Sequence, residues 1–159
     1  MKKNAAVAAL LFLITSHACY AASIEAGAAM VWNPVAFHDP PIGGGVSLAV
    51  LISEPNHFGF GLFPTLAFAP SGATLDFMIG LNYGIAINDK LTVIPCAGLY
   101  LGMIFFGFGG NVTVEYSPLP RLCLFARVQY ARATFLAPGV GGVTTNVVSP
   151  SFGVGWKLW

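Results

Sequence analysis

The chain has 159 residues, 56% of them hydrophobic and only 8% charged, with 19 Gly, 11 Pro and a formal net charge of +1. Soluble domains carry ~25% charged residues, so too few charges remain here to cover a water-facing surface, and so apolar a chain does not stay disordered. Without a basic run or a large positive charge, nucleic-acid binding is excluded as a function class, and the composition points to one membrane-embedded domain.

The first segment reads as an export signal. Met1-Lys2-Lys3-Asn4 is a short basic start, residues 5–15 form an apolar core too short to span a bilayer, and 16–21 end in small residues. Ser16-His17-Ala18-Cys19 lacks the aliphatic residue that opens a lipobox, so cleavage is expected after Ala21. Residues 1–21 are then a signal peptide and 22–159 the working domain, which keeps five basic and six acidic residues.

Beyond residue 21 the chain alternates with a period of two, the mark of strands with two chemically different faces. Along 23–32, Ile24, Ala26, Ala28, Met30 and Trp32 oppose Ser23, Glu25 and Gly27. Val46, Leu48, Val50 and Ile52 oppose Ser47 and Ala49; Phe58, Phe60, Leu62, Leu66 and Phe68 oppose Gly59, Gly61, Thr65 and Ala67. The clearest case is 74–87: Leu75, Phe77, Ile79, Leu81, Tyr83, Ile85 and Ile87 face one way, and Thr74, Asp76, Met78, Gly80, Asn82, Gly84 and Ala86 the other.

Residues 91–110 are uncharged and long enough for a membrane helix, but they contain Pro95 and five glycines, and no other segment supports that reading. Alternation accounts for them too, as it does for 106–117, 121–130 and 151–158. Eight segments result, each long enough to cross a bilayer as a tilted strand. Short turns are expected at 53–56, 88–90 and 117–120, longer connections at 33–44 and 136–148, and a Gly-rich bend at Gly107. The expected fold is all-β: an eight-stranded antiparallel up-and-down transmembrane β-barrel, closed because an open sheet edge is intolerable in lipid.

In a barrel this narrow the interior is filled by side chains. Inward parity falls on ten glycines and on the rare charges Glu25, Asp76, Glu115, Arg121, Arg127 and Lys157. Glu25, Glu115, Arg121, Arg127 and Lys157 are expected to cluster in the lower lumen, with Lys157 against Glu25 and Arg121 against Glu115, either as a stabilising plug or as a gate. Val31, Phe63, Met78, Tyr100, Ile104 and Phe135 have inward parity toward the other end, either as core filling or as the wall of an apolar chamber. Pro64 and Pro95 cannot donate a ladder hydrogen bond and are expected at bulges, with a local gate in the wall as the alternative. Arg132 has outward parity near the rim, where it can snorkel to lipid phosphates. Cys96 and Cys123 fall two strands apart, roughly 10 Å at the usual strand spacing, too far for a disulfide, so two free inward thiols are expected. His38 and His57 lack a metal-ligand spacing, and neither metal nor cofactor is expected.

The end of the chain, Ser151-Phe152-Gly153-Val154-Gly155-Trp156-Lys157-Leu158-Trp159, is aromatic and alternating. With the export signal and the eight segments it resembles the small eight-stranded outer-membrane barrels of the OmpA/OmpX and OmpW types. The resemblance implies a bacterial outer-membrane location, contact with outer-membrane lipid, and delivery by periplasmic chaperones to the barrel-assembly machinery through Phe152, Trp156 and Trp159. Trp159 departs from the usual pattern, lying one residue out of phase with the outward set. OmpW-type barrels join an apolar chamber to a side exit, which implies a narrow transport barrel for small hydrophobic solutes. The alternatives are a sealed structural or surface-interaction barrel and, through His38 and Ser71 on outer loops, a lipid-modifying enzyme; no catalytic residue is assigned.

Overall fold

The structure, a computed structural model, describes residues 22–103, 105–135 and 142–158. The expected signal peptide, Ile104 and Trp159 lie outside the described residues. The strands are β1 (Ala22–Trp32), β2 (Ile42–Ile52), β3 (Phe58–Ala69), β4 (Gly72–Tyr83), β5 (Ile85–Asn88), β6 (Leu91–Gly102), β7 (Phe105–Tyr116), β8 (Leu122–Phe135) and β9 (Thr144–Lys157). Chain neighbours pair antiparallel from β1 to β4 and from β5 to β9, β9 returns to β1, and β4 pairs with β6 in place of β5, so the sheet closes. β4 and β5 are one stave broken at Gly84, giving a closed eight-stave barrel with every wall strand antiparallel.

The two faces follow the alternation. Ser23, Glu25, Ala29 and Val31 of β1 are buried in the lumen while Ile24, Met30 and Trp32 are exposed on the wall. The exposed apolar set continues through Val46, Leu48, Val50, Phe60, Leu81, Phe108, Val128 and Phe152, the coat that a bilayer would cover. The turns are built from local polar groups. Asn88 Oδ1 accepts from the N–H groups of Lys90 and Leu91, both at 2.9 Å, and in the turn after β7 the N–H of Leu122 donates to the carbonyl of Leu119 at 3.3 Å. The bend expected at Gly107 is absent: Gly107 lies within β7 and is buried, and β6 and β7 pair on either side of it.

Pro64 and Pro95 are not bulges. Between β2 and β3 the register runs Ser47↔Thr65, skips two positions, and resumes as Val50↔Leu62 without an inserted residue. The same gap falls between Asn82↔Cys96 and Ile85↔Val93, at Pro95. A third falls between Ala29↔Ser151 and Trp32↔Val148, at Pro150. A proline nitrogen has no hydrogen to give, so pairing lapses there. The pairs on either side hold the register.

The wall is thinnest along one row. Gly61, Gly80, Gly98 and Gly109 are register partners across β3, β4, β6 and β7, and Ala131 of β8 continues the row. A Cβ at Gly98 would lie 2.0 Å from the Ile79 carbonyl oxygen and 2.4 Å from the Gly80 Cα. These contacts are backbone and cannot turn aside. The bare row lets the wall coil tightly and leaves lumen space for large side chains; the Phe63 ring tip sits 2.5 Å from where a Gly61 Cβ would be. Gly98→Val is expected to destabilise the barrel by about 1–3 kcal/mol through overpacking, read as a lower denaturant midpoint in detergent with the slope unchanged.

Candidate functional site: the filled lumen

Arg127 of β8 spans the lumen. Its Nη2 donates to Glu25 Oε2 on β1, its Nε donates to Thr113 Oγ1 on β7 at 2.8 Å, and its guanidinium carbon lies 4.5 Å from the Phe63 ring centre and 5.0 Å from that of Phe125. The two charged side chains are 1% and 0% exposed. Phe63 comes from β3, on the far wall. The guanidinium is therefore held between two aromatic faces and a carboxylate, with Phe63, Met78, Ala49, Leu51, Ile94 and Cys96 forming a buried apolar cluster on its opposite side. Nearer the end where β1 begins and β9 finishes, Lys157 Nζ stands 3.6 Å from Glu115 Oε2, with 24% and 5% exposure.

These contacts correct the expected pairings. Lys157 meets Glu115, not Glu25. Arg121 lies outside the lumen: it is exposed in the turn before β8, and its carbonyl accepts the Lys157 N–H at 2.8 Å. The reason is register. Glu25 stands opposite Gly155 while Lys157 stands opposite Ser23, one inward step nearer the mouth. Arg127, opposite Ser151, is the cation whose length reaches the Glu25 carboxylate.

The apolar set divides in two. Phe63 and Met78 belong to the cluster beside Arg127. Val31 and Tyr100 pack toward the end away from Lys157, here the outer end, with Phe37, Ala67, Phe105, Ala131, Ala133 and Val147, and the partly buried Phe135 packs against them, its ring centre 5.5 Å from that of Phe105. Strand tilt offsets positions that seem level when counted from strand ends. Side chains therefore occupy the space read as a chamber wall. Phe37, absent from the expected set, is a loop residue that turns down into the barrel and is fully buried. Asn33 fixes that turn: its Oδ1 accepts from the N–H groups of Val35 and Ala36, and its carbonyl from the N–H of Phe37 at 2.9 Å. Bare Gly43 makes the room, since a Cβ there would lie 2.6 Å from the Phe37 ring. Only a stacked register, with no periodic signal in a nine-residue loop, places Phe37 inside.

Polar side chains fill the remaining gaps. Thr74 Oγ1 donates to Asp76 Oδ1 at 2.9 Å, and Asn111 Nδ2 reaches Met78 Sδ at 3.7 Å. Among the described residues Glu25 Oε1, Arg127 Nη1, the Tyr100 hydroxyl and both side-chain polar atoms of Asn82 have no protein partner. Cys96 and Cys123 are both free and buried. His38 and Ser71 are exposed on separate loops. Phe152 and Trp156 are exposed on the wall. An open groove of about 340 Å³ indents the outer wall at Pro95, Gly110, Val112, Val128 and Tyr130 and reaches Cys96 and Asn111.

No family profile and no curated sequence matches the chain. Solved structures do. The outer membrane protein OprG of Pseudomonas aeruginosa superposes with a TM-score of 0.61 at 13% identity, covering 87% of this chain and 96% of that one. Neisserial surface protein A gives 0.58 at 17% identity, with 87% and 95% covered. Ail, the attachment invasion locus protein of Yersinia pestis, gives 0.55 at 14%, with 87% and 97% covered.

Removing one partner of a buried ion pair leaves the other charge uncompensated. Glu25→Gln is therefore expected to lower unfolding stability by about 3–5 kcal/mol. Glu25→Gln with Arg127→Met should lose much less than the sum of the single changes, which a double-mutant cycle of detergent unfolding curves will measure. With its closed antiparallel wall and these three neighbours, the chain has the fold of the small eight-stranded outer-membrane β-barrels.

Proposed function

We propose that the protein is a sealed outer-membrane barrel that acts through its outer surfaces, as a structural or surface-interaction element of the envelope, and not as a through-channel. The observation that carries this reading is the double closure of the lumen. Phe37 and the outer apolar cluster fill one level. Arg127, wedged between Glu25, Phe63 and Phe125, fills another. An ion crossing the barrel would have to displace a buried, paired guanidinium in a low-dielectric interior, where breaking such a pair is costly. Among the described residues no exposed loop hydroxyl is hydrogen-bonded to a base, and the proposed role needs none. Lipid covers the wall, and chaperones and the assembly machinery are its expected partners on the way there.

Purified barrel in planar bilayers should show no steady unit conductance, and liposomes containing it should not swell in small sugars. A steady conductance that changes size in Arg127→Ala would overturn the sealed reading.

A second reading, passage of small hydrophobic solutes, is favoured by one observation. The wall groove at Pro95 and Gly110 lies beside the lapse in the β4/β5–β6 ladder, and it reaches the inward-facing Cys96 and Asn111. On that reading an apolar solute moves between the wall and the upper lumen without crossing the charged layer. Gly110→Phe, which fills the groove from the lipid side, should then abolish uptake of an apolar fluorescent probe into liposomes. Equal uptake by the wild type, by Gly110→Phe and by empty liposomes would exclude it.

A further inference from the structure

We infer that Glu25, Glu115 and Cys123 form a binding site for a borderline-soft divalent metal ion of the Zn²⁺ class at the inner end of the lumen. The three residues come from β1, β7 and β8, and β9 lies between the first and the last. Glu25 stands opposite Gly155, and Gly155 stands opposite Cys123. A Cβ at Gly155 would lie 2.5 Å from Cys123 Sγ and 2.9 Å from Glu25 Cγ. The bare backbone at 155 is therefore what allows a thiol and a carboxylate, two strands apart, to close over β9. One ligand atom from each of Glu25, Glu115 and Cys123 lies within 4.8 Å of the others, and all three residues are buried.

A second observation points to a ligand. Glu25 is 0% exposed and its Oε2 is taken by Arg127, yet its Oε1 has no partner among the described residues. A buried carboxylate oxygen without a partner is costly, and a cation held by Glu115 and Cys123 would satisfy it. The donor set decides the class. Thiolate sulfur with two carboxylates suits Zn²⁺ and its neighbours, whereas Ca²⁺ and Mg²⁺ prefer six or more oxygens. Three protein ligands leave a fourth position for water. Entry is from the inner mouth, where a pocket of about 50 Å³ is lined by Ser23, Thr92, Glu115 and Lys157.

The charges must rearrange for the ion to bind. Arg127 and Lys157 already neutralise Glu25 and Glu115. Binding breaks the Cys123 S–H bond, forms a metal–sulfur bond and releases the proton to water, so the cluster gains one net positive charge. Arg127 is buried and cannot leave. Lys157 is a quarter exposed and 3.6 Å from its carboxylate, so it can swing to the mouth. Lys157 is thus a competitor of the metal, a relation that a purely structural cluster would not show. The inference stands whether or not the barrel conducts.

The test titrates the folded, purified barrel in detergent with Co²⁺ as the spectroscopic probe and Zn²⁺ as competitor. A near-ultraviolet sulfur-to-cobalt charge-transfer band should saturate with stoichiometric metal and bleach on adding Zn²⁺. Cys123→Ser should lose the band and Cys96→Ser should keep it, with folding checked by heat-dependent gel mobility. Lys157→Gln should bind about tenfold more tightly, and Glu115→Gln at least about tenfold more weakly. Should Cys123→Ser fail to fold, the opposed shifts of the two mouth variants still decide the matter. No band in the wild type, a band that survives Cys123→Ser, or unchanged affinity in both mouth variants would overturn the site.

Discussion

On the outer-membrane reading proposed above, every backbone N–H and C=O in the hydrocarbon layer must find a partner within the protein, and this requirement governs the whole molecule. An open sheet would leave two edges unpaired at several kcal/mol per group, so β4 must reach β6 and β9 must return to β1. Eight staves close the ring at a radius that side chains fill. The narrow radius in turn dictates the bare row of Gly61, Gly80, Gly98 and Gly109: a Cβ would meet a neighbouring backbone oxygen at 2.0–2.5 Å at Gly80, Gly98 and Gly109, and the Phe63 ring at 2.5 Å at Gly61. The composition that first looked odd, rich in glycine and poor in charge, is the composition this geometry needs.

The same closure makes the lumen a poor solvent, and the few charges inside it are arranged by depth. Glu25 and Arg127 are fully buried, hydrogen-bonded to each other, and held in place by Thr113, Phe63 and Phe125. Glu115 and Lys157 lie nearer the mouth with a looser contact. In the deep pair, geometry has to offset desolvation; in the shallow pair, water shares the work. The closure at the outer end differs in kind. There Phe37 is carried into the barrel by a loop, and its aromatic ring replaces charge as the filler.

Much of this was legible in the residues. Alternation along 74–84 and 106–116 separated wall from lumen, because a closed barrel with a packed lumen enforces the period of two on its strands, whereas in the short β5 Ala86 is exposed along with Ile85 and Ile87. What alternation could not convey is height. Parity told that Arg127, Lys157, Glu25 and Glu115 face inward, but which cation meets which carboxylate depends on the register across β9, and register depends on turn lengths. Arg121 shows the cost of that ignorance: it keeps the parity of its strand but falls in the turn, and water takes it. The prolines show another limit. Pro64 and Pro95 were expected to insert a residue, yet the flanking pairs on continuous strands hold register more strongly than one missing donor disturbs it, and Pro150 does the same in β9. Phe37 sits in a loop, where no period exists to read.

The depth ordering also explains where chemistry can occur in a barrel that is otherwise full. A group committed on all sides, as Arg127 is, can only hold the fold together. Reactivity requires a group with an unspent valence beside a neighbour that can move. At the inner end both conditions meet. Glu25 keeps one oxygen without a partner, Cys123 is brought to it by the missing side chain of Gly155, and Lys157 borders the mouth with somewhere else to go. At the outer end the Tyr100 hydroxyl has no partner, but the described side chains packed with it around Phe37 are apolar and buried, so the second condition fails. The two ends of the lumen are closed by different physics, and only the closure made of charges can open to a ligand without unfolding the wall around it.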